Sequence, residues 1–318
     1  MIDPVSIGRH IRGALLHLPG FGPKKIEALR TRGLATWSDL LHAHHHDLPG
    51  LDTAAPPWLA AIRADEAALA RGDLLHLVST LHRSDHWRIL ADFHERATYL
   101  DIETSGEERH PDITLIIAKH RGRLHTFTAE HNLDRFLDLL DGITLLVTFN
   151  GASFDVPQME RHFHLPFHDI AHVDLRWVCY HARMRGGLKE IERAIGLIRP
   201  PDLIGMDGAE ADWLWRRWKL TGQRHLLERL TRYCAADVIG LEWLTHWLIA
   251  EHAGAPYPVY HWNELPPPTT VANTAPETSP SSITNPPAPP PTAASSLEQR
   301  LRDRSRARRD QGSSTVNR

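Results

Sequence analysis

Ala97 to Gly106, ATYLDIETSG, reads as a strand that carries two carboxylates on one face. Successive side chains of a strand point to opposite sides, so Tyr99, Asp101 and Glu103 share one face while Leu100 and Ile102 share the other. The apolar pair can be buried, and the two acids are left together. Like charges that close repel each other, so the pattern has two readings: an edge strand with solvated acids, or a site where a divalent cation sits between the carboxylates. A bare Asp-x-Glu does not choose between them. The rest of the chain has to.

With 318 residues and 42% hydrophobic content, the chain has enough material for two folded parts and a tail. The formal net charge of -3 and the pI near 6.8 announce neither a nucleic-acid binder nor a membrane-surface protein, so either claim must rest on local patches. Only Cys179 and Cys234 are present, which argues against a disulfide framework and for a reducing, cytoplasmic setting. No apolar run reaches the length of a membrane span, and the first residues carry no cleavable-leader pattern, so a membrane is not expected as a partner.

Upstream, residues 5–42 read as helix, hairpin, helix. Ile7, Ile11, Leu15 and Leu16 recur at helical spacing, Leu18-Pro19-Gly20-Phe21-Gly22-Pro23 interrupts them, and a second helix restarts over Lys24 to Arg32. Two glycines around one apolar residue allow a tight turn and a close approach to another molecule, and the following helix start offers unpaired N–H groups to an anion. The segment resembles the helix-hairpin-helix motif of DNA-binding proteins, which makes Gly20, Phe21, Gly22, Lys24 and Lys25 candidate nucleic-acid contacts. The competing reading is a glycine-rich helix connection of structural use only. Leu48-Pro49-Gly50-Leu51 looks like a decayed copy, with Asp52 in place of the second glycine. His42 to Asp47 is histidine-rich, but adjacency alone does not make a ligand set, and a solvated helix end accounts for it. Pro57 to Ala97 is helical in pattern.

After the opening strand, Ile113–His120 and Arg123–Ala129 read as two more strands joined tightly at Gly122, then His131–Leu140 as a helix, then Thr144–Asn150 as a strand buried on both sides. Strands, a helix, a parallel return and further helices predict an α/β mixed sheet flanked by helices. Phe149-Asn150-Gly151-Ala152-Ser153-Phe154-Asp155 places a carboxylate past the carboxyl end of the buried strand, where open α/β sheets keep their sites. Val156-Pro157 follows as a helix start would, so capping and metal binding are both open for Asp155. In Arg232-Tyr233-Cys234-Ala235-Ala236-Asp237-Val238, Tyr233 and Asp237 stand one helical turn apart beside a leucine stripe. A carboxylate there needs a cation or a donor.

Asp101 with Glu103, Asn150 through Asp155, and Tyr233 with Asp237, in that order, resemble the three exonuclease motifs of the DEDD superfamily of RNase H-like fold. The tyrosine places the resemblance in its tyrosine-bearing (DEDDy) subgroup. FNGASFD is similar to the proofreading domains of family B DNA polymerases and closer to a bacterial predicted-exonuclease (YprB-like) branch. His172 to Arg176, Gly186 to Glu192 and the Trp215 helix also look like that branch. The domain layout expected is a helix-hairpin-helix-like part over residues 1–70, a helical connector over 71–95, the RNase H-like domain over 96–252, and a Pro/Ser/Thr-rich disordered tail with an arginine-rich end over 253–318.

What the resemblance implies is metal-dependent 3′-to-5′ exonuclease chemistry. Asp101, Glu103, Asp155 and Asp237 would hold two Mg²⁺ or Mn²⁺ ions, which in such sites lie about 3.5 to 4 Å apart, with no Cys or His required. Tyr233, with an ordinary pKa near about 10, is a poor base and is assigned to orienting the water. Lys189 could neutralise a phosphate or pair with an acid, with the structural role favoured. The substrate is nucleic acid, with DNA favoured over RNA because of the hairpin. An RNA-directed nuclease of the same chemistry and a non-catalytic binding scaffold are the alternatives. Trp215 with Trp218, and Trp243 with Trp247, are spaced to stack on bases, but their leucine neighbours favour the core. The arginines from Arg300 to Arg309 either attract nucleic acid or keep the tail solvated.

Overall fold

Five short segments rich in aliphatic and β-branched residues pair into one mixed sheet. They are β1 (Ala97–Thr104), β2 (Ile113–His120), β3 (Arg123–Thr128), β4 (Leu145–Thr148) and β5 (Ala171–Asp174), in the order β3-β2-β1-β4-β5. β1, β2 and β3 are antiparallel neighbours, whereas β4 runs parallel to β1 and β5 parallel to β4. Arg121 and Gly122 both have positive φ, 49° and 73°, the backbone a two-residue hairpin needs between β2 and β3. The computed structural model describes residues 8–45, 56–106 and 111–267.

The alternation read in β1 holds across the sheet and divides the core in two. Tyr99, Leu115, Ile117, Leu145 and Val147 point to one side and share a single apolar cluster with the helices that precede the sheet and with α11 (Arg224–Ala253). Leu100, Ile102, Ile116 and Leu146 are buried but lie outside that cluster. Near them α6 (Phe136–Leu140) and α7 (Asp155–Phe163) stack Phe136 on Phe163 with centroids 5.6 Å apart. α11 packs along β1 and β2, and its 30 residues bury Leu230, Leu241, Leu244 and Leu248. Each such side chain contributes about 1.5–3 kcal/mol when fully withdrawn from water. Between them lie α8 (Leu175–His181), α9 (Leu188–Ala194) and α10 (Gly208–Thr221).

Ahead of the sheet come α1 (Pro23–Thr31), α2 (Trp37–His45), α3 (Pro57–Arg71), α4 (Leu74–Thr80) and α5 (His86–Phe93). The helix expected around Ile7 to Leu16 is reduced to a 3₁₀ turn, Ile11–Gly13. Gly8 takes φ 81°, and the Asp92 carboxylate accepts the His10 and Ile11 amides at 3.1 and 2.9 Å, so those groups are satisfied by tertiary contact. The periodicity instead buries Ile11, Ala14, Leu15 and Leu18 against neighbouring helices. The helix expected over His131–Leu140 opens as a 3₁₀ turn at Leu133–Arg135, and β5 is a strand that the sequence pattern left unassigned. Leu48 to Asp52, the end of the histidine cluster and the arginine-rich tail lie outside the described residues. Past α11, Leu265 is buried, Trp262 donates its indole N–H to the Ile198 carbonyl at 2.9 Å, and Lys119 bridges Glu242 and Glu264. Among the described residues no helix is long and apolar enough to cross a membrane.

His86, at the start of α5, is buried, and loss of hydration pushes its imidazole down to about 4 from an ordinary 6.5. Because the folded-state value is the lower one, the unfolded chain takes up the proton first as the pH falls. Native stability is therefore lost between about pH 6.5 and about 4, by roughly 3 kcal/mol if the shift is fully expressed. Thermal unfolding of the native protein and of His86→Asn across that window should show the shallower acid-side decline in the variant.

Candidate active site

Three elements bring the predicted acids together at one end of the sheet. Asp101 and Glu103 stand on the central strand β1, and the ladder to β2 slips between Glu103 and Thr104, a bulge at the rim of the site. Asp155 is the first residue of α7, just past the carboxyl end of β4. Asp237 and, one turn earlier, Tyr233 come from the middle of α11. All five side chains line a single cavity of about 210 Å³, and Asn150 and Lys189 line it too.

The loop that delivers Asp155 is tied down by a residue outside the cavity lining. Asn150 adopts φ 64°, and the Asp174 carboxylate at the end of β5 accepts the Asn150 amide at 2.7 Å and the Ala152 amide at 3.1 Å. The same carboxylate caps α8 through the Arg176 amide at 3.0 Å. Phe154, at the N-cap position of α7, offers no side-chain cap. Asp155 thus begins the helix, where the dipole favours a carboxylate, and also faces the cavity. Of the two readings left open by the sequence, capping is not what the side chain does, since Phe154 holds the N-cap position.

Burial first, and then the neighbouring carboxylates, raise Asp101, Glu103 and Asp155 above the ordinary range. Glu103 is pushed up to about 8, with Asp237 the strongest repelling neighbour and Lys189 opposing it. Asp155 is pushed up to about 7 by burial, against hydrogen bonds from backbone that include Ile102. Asp101 goes well above its usual value because burial is reinforced by Asp237, Asp155 and Glu103. A cation bound among carboxylates raised in this way would displace the protons they hold and relieve their mutual repulsion.

Arg199, Glu192, Gly240 and Cys234 stand near the acids and were not legible as site residues. The buried Arg199 donates to the Glu192 carboxylate at 2.6 and 2.8 Å and to Asp237 Oδ1 at 2.5 Å. It holds one oxygen of Asp237 in place and charges a pocket that would otherwise carry two uncompensated acids. Gly240 makes room for this clamp, since a Cβ there would fall 2.2 Å from Glu192 Oε1. Lys189, for which the sequence favours a structural role, donates to the Tyr233 hydroxyl and sits 4.4 Å over its ring. Burial and the surrounding acids raise the Tyr233 hydroxyl well above its ordinary value, so it stays protonated.

Cys234 completes the set. Its Sγ lies 3.3 Å from Asp101 Oδ2, and one ligand atom each from Asp101, Glu103 and Cys234 fall within 4.8 Å of one another. Burial, and then the adjacent carboxylates, push the thiol well up, and without a cation it donates its hydrogen bond to Asp101.

The candidate hairpin lies elsewhere. Gly20 has φ 80°, and no heavy atom would meet a Cβ at Gly20 or Gly22 within 4 Å. Gly22 is the N-cap of α1, Lys24 is exposed, and Lys25 stands 4.3 Å over the Phe21 ring. Phe21 itself is buried with its ring centroid 6.0 Å from that of Trp58. Trp215 is buried, and Trp218, Trp243 and Trp247 pack partly buried against the core.

Residues 98–249 match the RNase H superfamily model, in agreement with the mixed sheet and its flanking helices. No curated protein matches the chain. Among solved structures, the family B DNA polymerase from the hyperthermophilic archaeon Pyrobaculum calidifontis aligns over 49% of this chain at 18% identity with a TM-score of 0.37. This chain spans 24% of that polymerase.

Replacing Arg199 with Met strands Glu192 and Asp237 in the interior, a change that costs about 3–5 kcal/mol for a buried pair. For a domain of this size the thermal midpoint should fall by roughly 6–20 °C. Arg199→Lys, which keeps the charge but not the fork, should fall less, and Arg199→Met combined with Glu192→Gln should recover part of the loss.

Proposed function

We propose that this protein is a metal-dependent nuclease that removes nucleotides from the 3′ end of a nucleic-acid strand, with DNA the favoured substrate. The observation that carries the reading is the convergence of Asp101, Glu103, Asp155 and Asp237 on one cavity of an RNase H-like domain, the first three raised above the ordinary carboxylate range. A scaffold without chemistry has no use for four acids held at this cost.

The four carboxylates would hold two Mg²⁺ or Mn²⁺ ions, which supply an activated water and stabilise the departing oxygen when bound. The chain's own groups then position the reaction. The clamp from Arg199 fixes Asp237 against β1. With its oxygen engaged by Lys189, Tyr233 keeps its phenolic proton and turns it toward the cavity, where it orients the attacking water or a phosphate oxygen. The Lys189 ammonium offsets the charge of an entering phosphate, a larger role than packing alone. The preference for DNA rests on the exposed glycine hairpin ahead of α1, whose amides and lysines suit a phosphate backbone.

End-labelled single-stranded DNA and RNA of matched sequence, incubated with Mn²⁺ or Mg²⁺ and with chelator, test the activity. Stepwise metal-dependent shortening from the 3′ end is expected, with Asp101→Ala or Asp237→Ala slowing it at least about a hundredfold while the strand is still bound. Absence of cleavage with every metal sinks the proposal.

Metal and proton should compete for the same oxygens. Folded-state values of about 7 for Asp155 and about 8 for Glu103 lie above their unfolded values, so the stability they confer is full at low pH. It is lost as the pH rises through about 7 and 8. In chelator this loss runs from about pH 4 to about pH 8 and is seen unopposed in the thermal midpoint above about pH 6.5, where the contribution of His86 is complete; excess Mn²⁺ should abolish the drop. Calorimetric Mn²⁺ affinity should rise with pH by roughly tenfold per unit for each proton displaced.

A further inference from the structure

Beside the acidic cavity, and sharing Phe149, Asn150 and Leu188 with it, lies a second cavity of about 630 Å³. α8 and the turn that follows it build its outer wall, with Arg176, Trp177, Tyr180 and Arg185. Trp177 is 38% exposed and Tyr180 47%, unusual for rings this large. Cationic groups support both. Arg185 lies 3.7 Å over the Tyr180 ring and Arg83 5.0 Å over that of Trp177. The two rings meet edge to face at 5.9 Å.

The two lining arginines are bonded to neutral groups. Arg176 donates to the Asn150 side-chain oxygen, and Arg185 to the Tyr180 and Met184 carbonyls at 2.5 and 3.2 Å. Among the described residues neither forms an ion pair, and no carboxylate lines this cavity. A third cavity, of about 610 Å³, shares Ile102, Glu103 and Phe154 with the acidic one, but its arginine, Arg216, is paired with Asp212 at 2.9 Å. The third cavity also carries exposed rings, Phe154 and Trp213, but of these two neighbours of the acidic cavity it is the α8 one that joins its rings to arginines outside any ion pair among the described residues.

We infer that the α8 cavity is the binding path for an unpaired nucleic-acid strand leading to the acidic cavity, with Trp177 and Tyr180 stacking bases and Arg176 and Arg185 holding the phosphates between them. The inference rests on the nuclease reading for where the strand ends. Stacking requires a base free of its partner, which selects a single strand over a duplex, and the π face of any base serves, so no sequence preference follows. Positive charge placed next to four carboxylates lets an anionic strand approach a site that would otherwise repel it.

The test is fluorescence anisotropy with a labelled oligothymidylate in chelator, so that binding is read without turnover. Full-length protein is compared with Trp177→Ala/Tyr180→Ala and with Arg176→Gln/Arg185→Gln, each checked by circular dichroism. All four side chains are exposed, and the glutamine pair guards against a folding defect in the alanine pair. We expect at least a fivefold loss of affinity in both, with the salt slope of the arginine variant shallower by about 1.4, the value for two phosphates of a single strand. A smaller loss in either variant, or no binding by the native protein, overturns the assignment, including in favour of an acidic protein partner on the same surface. Hydrolysis by the native protein is scored separately: cleavage without an affinity loss rejects the groove alone, and affinity loss without cleavage rejects the nuclease alone.

Discussion

Mutual repulsion among buried carboxylates is the constraint around which the sheet, α7 and α11 are arranged. Asp101 and Glu103 are fixed by the pleat of β1, and each further acid brought to that face makes the others harder to ionise. A fold that tolerates this needs rigid supports on every side, because a loose carboxylate would rotate into solvent. The supports are covalently remote. Asp174 binds the loop before Asp155, Arg199 binds Asp237, and Lys189 engages Tyr233.

Arg199 has a double role within that balance. Its charge counters Glu192 and Asp237 together, so the region around α11 is less acidic than a count of carboxylates suggests. Because only one oxygen of Asp237 is taken at hydrogen-bond distance, the clamp fixes the carboxylate's orientation and does not consume its capacity to bind elsewhere. The absent side chain of Gly240 is part of the same arrangement, since α11 could not otherwise approach Glu192.

The strands were legible because their periodicity is local. β2 has the bounds the pattern implied, β1 ends two residues and β3 one residue earlier than expected, and β4 keeps four of the seven residues read as strand. The convergence of Asp101, Glu103, Asp155, Tyr233 and Asp237 on one cavity was legible through motif order. The first helix is absent because the Ile11 amide donates to Asp92 and the Ala14 carbonyl accepts from Trp37, partners that no window around them contains. β5 has four residues, too few for alternation to register, and gains its identity from pairing with β4. Glu192 and Arg199 could not be assigned at all: a salt bridge to a residue thirty-eight positions away is a property of the tertiary structure. Trp177 and Tyr180 went unnoticed for a related reason. Exposure, not composition, distinguishes them from the tryptophans that pack against the core.

Asp155 illustrates why one residue in such a site answers to two demands. As the first residue of α7 it lies where the helix dipole lowers the cost of negative charge, and backbone hydrogen bonds do the same. Burial and the charge of Asp174 act the other way and prevail, leaving it at about 7. A capping acid free of these neighbours would be ionised at neutral pH and would stabilise the helix regardless of any ligand. Here the carboxylate sits near the midpoint of its titration, so a modest change in nearby positive charge decides whether it carries a proton. The position therefore couples the start of α7 to the occupancy of the cavity, which a cap alone would not do.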